Sequence, residues 1–266
     1  MILIQNRPIS SVEQQVLGNL GPFTKEIVYG LISDLRTYRY PNQEALIFEI
    51  KLRQAIINAA ASLLSESRAS FATFYESACN PRYWTLNEEG GFELRVGSSP
   101  SVAIIDIFTN GDQYAFECAT AMMIILYKAL IEVIGSRHFD QFYRQLYLWD
   151  WHHHANYPLV LIDVSQGILG DIRYFKNPEV NPRTPQWQGE NAIQMPDQKF
   201  FGHGIGNLNA NAMIDELNKY RRIGATASAY LMTSATRPDF NFLFNYTSNE
   251  MSRVPIQLGS TQYEYD

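Results

Sequence analysis

Only two cysteines, Cys79 and Cys118, occur among 266 residues. Two thiols make a secreted disulfide framework improbable, so the chain is expected to be made and folded in a reducing cytoplasm. Charge is also scarce and leans acidic: 21 Lys and Arg against 27 Asp and Glu, a net −6. A nucleic-acid binder normally carries a basic patch, which this balance argues against. No run approaches the roughly 20 apolar residues that a membrane span needs. The most apolar stretch, 119–134, is broken by Lys128 and Glu132. The start, Met1-Ile2-Leu3-Ile4-Gln5-Asn6-Arg7-Pro8, has no basic segment followed by a long apolar one and a cleavage site, so it does not read as a secretory signal. No Pro-rich, Gly/Ser-rich or single-charge run divides the chain and no internal repeat is visible. One domain over 1–266 is therefore expected, with a loose polar tail at about 247–266.

What the chain does have is apolar and aromatic mass, 46% and 13% of residues, enough for a sizeable core. Asn42 caps a helix over about 43–65, supported by Glu49 and Arg53 at i,i+4. Residues 83–86 and 92–96 alternate around Glu88-Glu89-Gly90-Gly91 as a hairpin. Ser99-Pro100 opens a helix to about Phe108. Another short helix fits 22–35, although 1–40 is otherwise poorly patterned. Strands are expected near 145–151, 159–164 and 171–175, and a hairpin at 189–195 and 199–204 turning at Pro196-Asp197. A helix fits 210–222, capped by Asn209 and stopped by Gly224. Residues 226–244 read equally as strand or short helix.

Cys118 stands out against this background. It heads the segment 119–134, which is apolar on nearly every side and ends at Gly135, the signature of a buried central helix. Free N–H groups and the positive dipole end favour a thiolate at such a position. The preceding residue, Glu117, supplies a carboxylate. On position alone, a nucleophile and a small core residue remain equal readings.

The block Tyr114-Ala115-Phe116-Glu117-Cys118-Ala119-Thr120-Ala121 resembles the cysteine motif of the Bacillus-type, spore-associated transglutaminases. Further blocks resemble the same family in the same order. They are Phe48-Glu49-Ile50-Lys51-Leu52-Arg53, Phe71-Ala72-Thr73-Phe74, Tyr174-Phe175-Lys176-Asn177-Pro178-Glu179, Trp187-Gln188-Gly189-Glu190-Asn191, Phe201-Gly202-His203-Gly204-Ile205-Gly206 and Gly224-Ala225 to Ala235-Thr236-Arg237. The resemblance extends from about residue 40 to about 245. It implies an α+β fold with a papain-like core, close to bacterial cell-wall cysteine amidases, in which the cysteine helix packs on an antiparallel sheet. It implies protein-glutamine γ-glutamyl transfer without calcium, and glutamine- and lysine-bearing spore coat proteins as substrates; no cofactor and a monomer are expected alongside. It also implies synthesis in the mother-cell cytoplasm and delivery to the spore coat.

The resemblance makes Glu190 the partner of Cys118, with Glu117 able to substitute in part. Moving a proton from an unperturbed thiol near 8.5 to a carboxylate near 4.3 is uphill by about 6 kcal/mol. Burial that raises the carboxyl and a helix terminus that lowers the thiol would narrow the gap. Phe71, Trp151, Tyr174 and Trp187 are candidates for the apolar cover, or substrate-binding surface, of such a site. His203 is the other candidate base. If the hairpin turns on Pro196-Asp197, Glu190 faces His203 on one side of the sheet, and a slip of one residue would separate them. His152-His153-His154 lacks metal-ligand spacing, since consecutive strand residues alternate faces, and reads as a loop cluster. Two rivals stay open: a hydrolytic cysteine amidase or peptidase on the same core, and a non-catalytic coat protein that keeps the fold for packing.

Overall fold

Several helices start where the sequence supplies a cap. The computed structural model describes residues 1–10, 17, 20–252, 256–258 and 261–263. Its helices are α1 Thr24–Ser33, α2 Gln43–Ser65, α3 Pro100–Thr109, α4 Cys118–Ile134, α5 Ser136–Phe142, α6 Ala210–Asn218 and α7 Phe240–Ser252. Asn42 accepts from the Ala45 N–H at 2.9 Å to open α2, and Asn209 accepts from Ala212 at 3.0 Å to open α6. Ser99 accepts from Val102, with Pro100 in the first turn of α3. These side-chain oxygens satisfy N–H groups that have no partner inside the helix. Gly135, at φ 81°, ends α4.

Two helix boundaries differ from expectation. Helix α6 stops at Asn218 rather than continuing to 222. Tyr220 instead stacks on Trp187, with ring centroids 4.4 Å apart, and its carbonyl accepts from Asn181, so tertiary contacts overrule the basic last turn. At the other end, α7 carries the chain through Ser252, and Thr247 is buried in it with its hydroxyl donating to Leu243 O. The stretch expected as a tail from 247 therefore begins inside a helix. Beyond it, Ile256–Leu258 pairs with Thr261–Tyr263, and the remaining residues lie outside those described.

Up to Pro238 the strands, in chain order, are β1 Ile2–Ile4, β2 Arg7–Pro8, β3 Tyr38–Tyr40, β4 Ser70–Phe71, β5 Trp84–Leu86, β6 Phe92–Leu94, β7 Ala115–Phe116, β8 Tyr147–Leu148, β9 Leu159–Asp163, β10 Ile172–Lys176, β11 Gly189–Met195, β12 Lys199–Gly202, β13 Gly206–Asn209 and β14 Tyr230–Pro238. The main sheet has six strands in the order β13-β12-β11-β10-β14-β9, every neighbour antiparallel. The fold is thus α+β with antiparallel sheets. The ambiguous 226–244 segment resolves into β14 followed by α7, divided after Pro238. The poorly patterned N-terminus forms a small sheet, β2-β1-β3, in which β1 runs parallel to β3.

Side-chain alternation sends the two faces of the main sheet to different cores. Ile172, Ile193, Met195 and Phe201 join the principal core with α2 and α4, while Phe175, Ala192 and Phe200 form a second cluster with Met213 and Leu217 of α6. Helix α4 lies along α2 and against β11. Every residue of α4 is buried except Lys128, Glu132 and Val133, which gives the all-round apolar pattern its physical meaning.

The Glu49/Arg53 pair is not a surface ornament. Both residues are buried, and Arg53 donates from Nε to Glu49 at 2.8 Å and from Nη1 to Asp171 at 2.9 Å. Arg237 of β14 reaches the other Asp171 oxygen at 2.5 Å, and the Tyr40 hydroxyl donates to Glu49 at 2.7 Å. Burial alone would push the Asp171 carboxyl up, but the two guanidinium groups overcome it and hold it below its usual value. This network ties α2 to the sheet.

Candidate active site

A short parallel pair delivers the chain to the cysteine. β4 and β7 match Ser70 with Ala115 and Phe71 with Phe116, and the residue after Phe116 is the cap of α4. Glu117 has extended backbone, φ −83° and ψ 166°. Its Oε2 accepts from the N–H groups of Ala119 at 2.7 Å and Thr120 at 3.3 Å. Its Oε1 accepts from Cys118 Sγ at 3.0 Å. Adjacent residues inside a helix diverge, and the meeting is possible because Glu117 lies outside the helix as its cap.

Cys118 is 5% exposed. Burial pushes its thiol well above the ordinary value, and the charges of Glu190 and Glu117 push it further in the same direction. The direction is opposite to the lowering expected at a helix N-terminus: desolvation and two like charges raise the thiol, with only the Asn191 N–H acting to lower it. Glu190 is fully enclosed. Burial raises its carboxyl well above the ordinary value, with Glu117 adding to the rise. Burial also raises Glu117, despite the N–H groups that favour its charged form.

The hairpin register separates Glu190 from His203. Met195 pairs with Lys199 and Ala192 with Gly202, so the turn holds three residues, Pro196, Asp197 and Gln198. Asp197 and Gln198 both adopt left-handed backbone, φ 57° and 55°. The extra turn residue slips the pairing by one from the expected register and moves Glu190 off the partner position of His203. Glu190 faces the α6 side, where a Cβ on Gly202 would stand 2.6 Å from its Oε1. The absent side chain at Gly202 is what makes room for this carboxylate, and Oε1 has no hydrogen-bond partner among the described residues.

His203 follows β12 in a tight turn. Its ring stacks on Phe116 with centroids 4.6 Å apart, and its Nε2 lies 3.2 Å from Ser70 O. Burial pushes its imidazole down to about 4. Neither Cys118 nor Glu190 is among its hydrogen-bond partners. The expected cross-strand pair and the role of working base therefore find no support in its geometry; the ring props the β4–β7 pair.

Of the four aromatic candidates, Tyr174 is opposite Asn191 in the β10–β11 register. Burial raises its hydroxyl to about 12, and Cys118, Glu190 and Glu117 add to the rise, which locates it in the same electrostatic neighbourhood. Phe71 stacks on Trp187 with centroids 5.1 Å apart, and Trp187 continues the stack to Tyr220. Gly204, at φ 102°, lets the turn pass over the Phe71 ring, where a Cβ would come within 2.7 Å. Trp151 is half-buried against the principal core. The preceding residue, Asp150, anchors this loop over the first turn of α4 by donating its N–H to Thr120 Oγ1 at 3.0 Å. Of the three consecutive histidines, His152 packs edge-on to Tyr147, His153 lies against Trp151 O and His154 against Tyr143.

Three residues near the site were not singled out by sequence reasoning: Asn191, Asp150 and Tyr220. Asn191 Nδ2 donates to Cys118 Sγ at 3.5 Å. Alternation along β11 would have flagged it had one face been polar, but Ala192, Ile193 and Met195 make both faces apolar. A groove of 1130 Å³ lies between α1, the 165–169 loop and the β11–β12 turn, and none of the candidate site residues lines it.

The protein-glutamine γ-glutamyltransferase family model matches residues 1–247. A protein-glutamine γ-glutamyltransferase of Bacillus subtilis (strain 168) is 43% identical over 238 residues, covering 90% of this chain and 95% of that one. One from Bacillus pumilus (strain SAFR-032) is 42% identical over 246 residues, covering 91% and 98%. Among solved structures, a transglutaminase from Geobacillus stearothermophilus, without its C-terminal extension, superposes with a TM-score of 0.74 at 46% identity, covering 77% of this chain and 98% of that one. A thiol bonded to a carboxylate at the head of a buried helix, inside a chain matched over nearly its whole length, places this enzyme in the family of protein-glutamine γ-glutamyltransferases.

Proposed function

We propose that the chain is a single catalytic domain in which Cys118 is the acyl-transfer nucleophile. The sulfur attacks the carboxamide carbon of a protein glutamine while its proton passes to a carboxylate and on to the departing nitrogen. Ammonia leaves and a γ-glutamyl thioester remains. A lysine amine of a second protein then attacks the thioester, gives up a proton to the same carboxylate, and releases the thiol as the isopeptide bond forms. The observation that carries this reading is the 3.0 Å contact between Cys118 Sγ and Glu117 Oε1. Burial raises the thiol and the carboxyl together, so what matters is the difference between them, and a direct hydrogen bond lets the proton move as the sulfur attacks. No separate thiolate has to accumulate.

Glu190 is the second carboxylate in this reading. It is enclosed, its Oε1 lacks a partner among the described residues, and its charge acts on the thiol. Phe71, Trp187, Tyr174 and Trp151 form the apolar surround that would favour an amine over water. The packing of α4 against an antiparallel sheet supports assignment to the papain-like, cell-wall-amidase-like group. In this reading the substrates are spore coat proteins, the enzyme is made in the mother-cell cytoplasm, passes to the coat and needs no calcium, as the resemblance of the Tyr114–Ala121 block implies, and it acts as a monomer. The experiment is ammonia release from a glutamine-bearing protein with and without a primary amine. Amine incorporation that keeps pace with ammonia supports transfer; ammonia with water as the sole acceptor would mark a hydrolase; neither would mark a non-catalytic coat protein.

A further inference from the structure

Asn191 is 8% exposed, and its single side-chain hydrogen bond among the described residues runs from Nδ2 to Cys118 Sγ at 3.5 Å. Buried amides usually bond backbone or other strong acceptors. A neutral thiol is a weak acceptor, and a thiolate is a far better one. An enclosed amide whose one bond goes to sulfur is therefore matched to the charged form of that sulfur. The surroundings give such a donor a purpose. Sγ already donates to Glu117, and Glu190 adds a second carboxylate charge. Asn191 brings a neutral N–H donor to the sulfur from the sheet side, opposite in register to Tyr174.

We infer that Asn191 is a positioning residue for the transfer reaction: it holds Cys118 Sγ from the β11 side and supports the negative charge that the sulfur carries as it attacks and again as it leaves. This rests on Cys118 being the nucleophile. It assigns the two sides of the sulfur different tasks. Glu117 takes the proton along the chain, and Asn191 steadies the charge left behind. The same residue also fixes the sulfur's direction, since its side-chain amide and its backbone N–H both act on Sγ from the sheet side while Glu117 accepts from Sγ on the other.

The test uses the full-length enzyme with Cys79→Ser, so that iodoacetamide reads Cys118 alone. Alkylation of this parent should abolish γ-glutamyl transfer; retained transfer would overturn the nucleophile reading and this inference with it. Asn191→Ala should then slow Cys118 alkylation at pH 8 by about tenfold, the scale expected for losing one hydrogen bond to a charged group. It should also lower kcat by a similar factor while leaving KM for the glutamine donor unchanged. Asn191→Asp keeps the shape and replaces the donor with a third carboxylate, so it should slow alkylation further. Asn191→Ser retains a short donor and should fall between parent and Asn191→Ala. Rates are taken well below each variant's thermal midpoint, and the isosteric Asn191→Asp covers the case in which the alanine variant packs poorly. Alkylation within twofold of the parent in folded Asn191→Ala and Asn191→Asp, across pH 7 to 10, would overturn the inference while leaving Cys118 as nucleophile.

Discussion

Glu117 performs two separable tasks, and two substitutions can tell them apart. Its Oε2 caps α4 through Ala119 and Thr120, and its Oε1 faces the thiol. Glu117→Gln keeps an oxygen for the cap and removes the base. Glu117→Ala removes both. Loss of a cap costs about 1 kcal/mol, which in a chain of this length lowers the thermal midpoint by about 2–4 °C. Glu117→Ala should show that drop and Glu117→Gln should not. Both should lose proton-transfer catalysis, typically worth about 10²–10⁴-fold. A third readout runs the other way. Glu117 raises the Cys118 thiol through its charge and its hydrogen bond, so Glu117→Gln should make the thiol ionise more readily. Alkylation of Cys118 should therefore speed up in the same variant in which amine incorporation slows. The assays are thermal melting, iodoacetamide kinetics and incorporation of a labelled primary amine. A Glu117→Gln enzyme with undiminished kcat would refute the assignment of the proton to Glu117. It would return that role to Glu190, which the sequence had ranked first.

Cys118→Ala should abolish amine incorporation, while Cys79→Ala should retain it, because a carboxylate is hydrogen-bonded to Cys118 and, among the described residues, none is to Cys79; equal losses would end the nucleophile assignment. Gly202→Ala places a methyl carbon 2.6 Å from Glu190 Oε1 and should displace that carboxylate, lowering kcat without touching either glutamate; unchanged kcat in the folded variant would remove Glu190 from the mechanism. His203 has a folded value near 4, below its unfolded value near 6.5. Its stabilising contribution is thus complete above about 6.5 and is lost as pH falls toward 4, by about 3 kcal/mol in all. His203→Phe should flatten that part of the stability–pH curve, as denaturant titrations at pH 4 to 7 would show, and an identical slope would contradict the buried neutral imidazole. Asp171 lies below its usual value in the folded chain, so its contribution is full above about 4 and lost as pH falls through the lower folded value. Asp171→Asn should therefore destabilise the enzyme most near neutral pH and least in acid.

Local chemistry was enough for some of this molecule. Asn42, Ser99-Pro100, Asn209 and Gly135 marked helix ends because caps act over three or four residues. The all-round apolar run after Cys118 specified a buried helix, and Glu117 before it specified a carboxylate at the cap. Those two adjacent residues contain the closest polar contact to the thiol. Relations between strands were not available in the same way. The face on which Glu190 lies depends on whether the β11–β12 turn holds two residues or three, and left-handed Asp197 and Gln198 settled that only in the folded hairpin. Asn191 stayed invisible because both faces of β11 are buried, so alternation carried no contrast. The end of α6 followed the Trp187–Tyr220 stack across the fold rather than its own basic residues. The direction of the thiol's shift was tertiary as well. A helix terminus is written in the sequence, but the burial and the second carboxylate that raise the thiol exist only once α4 has packed against β11.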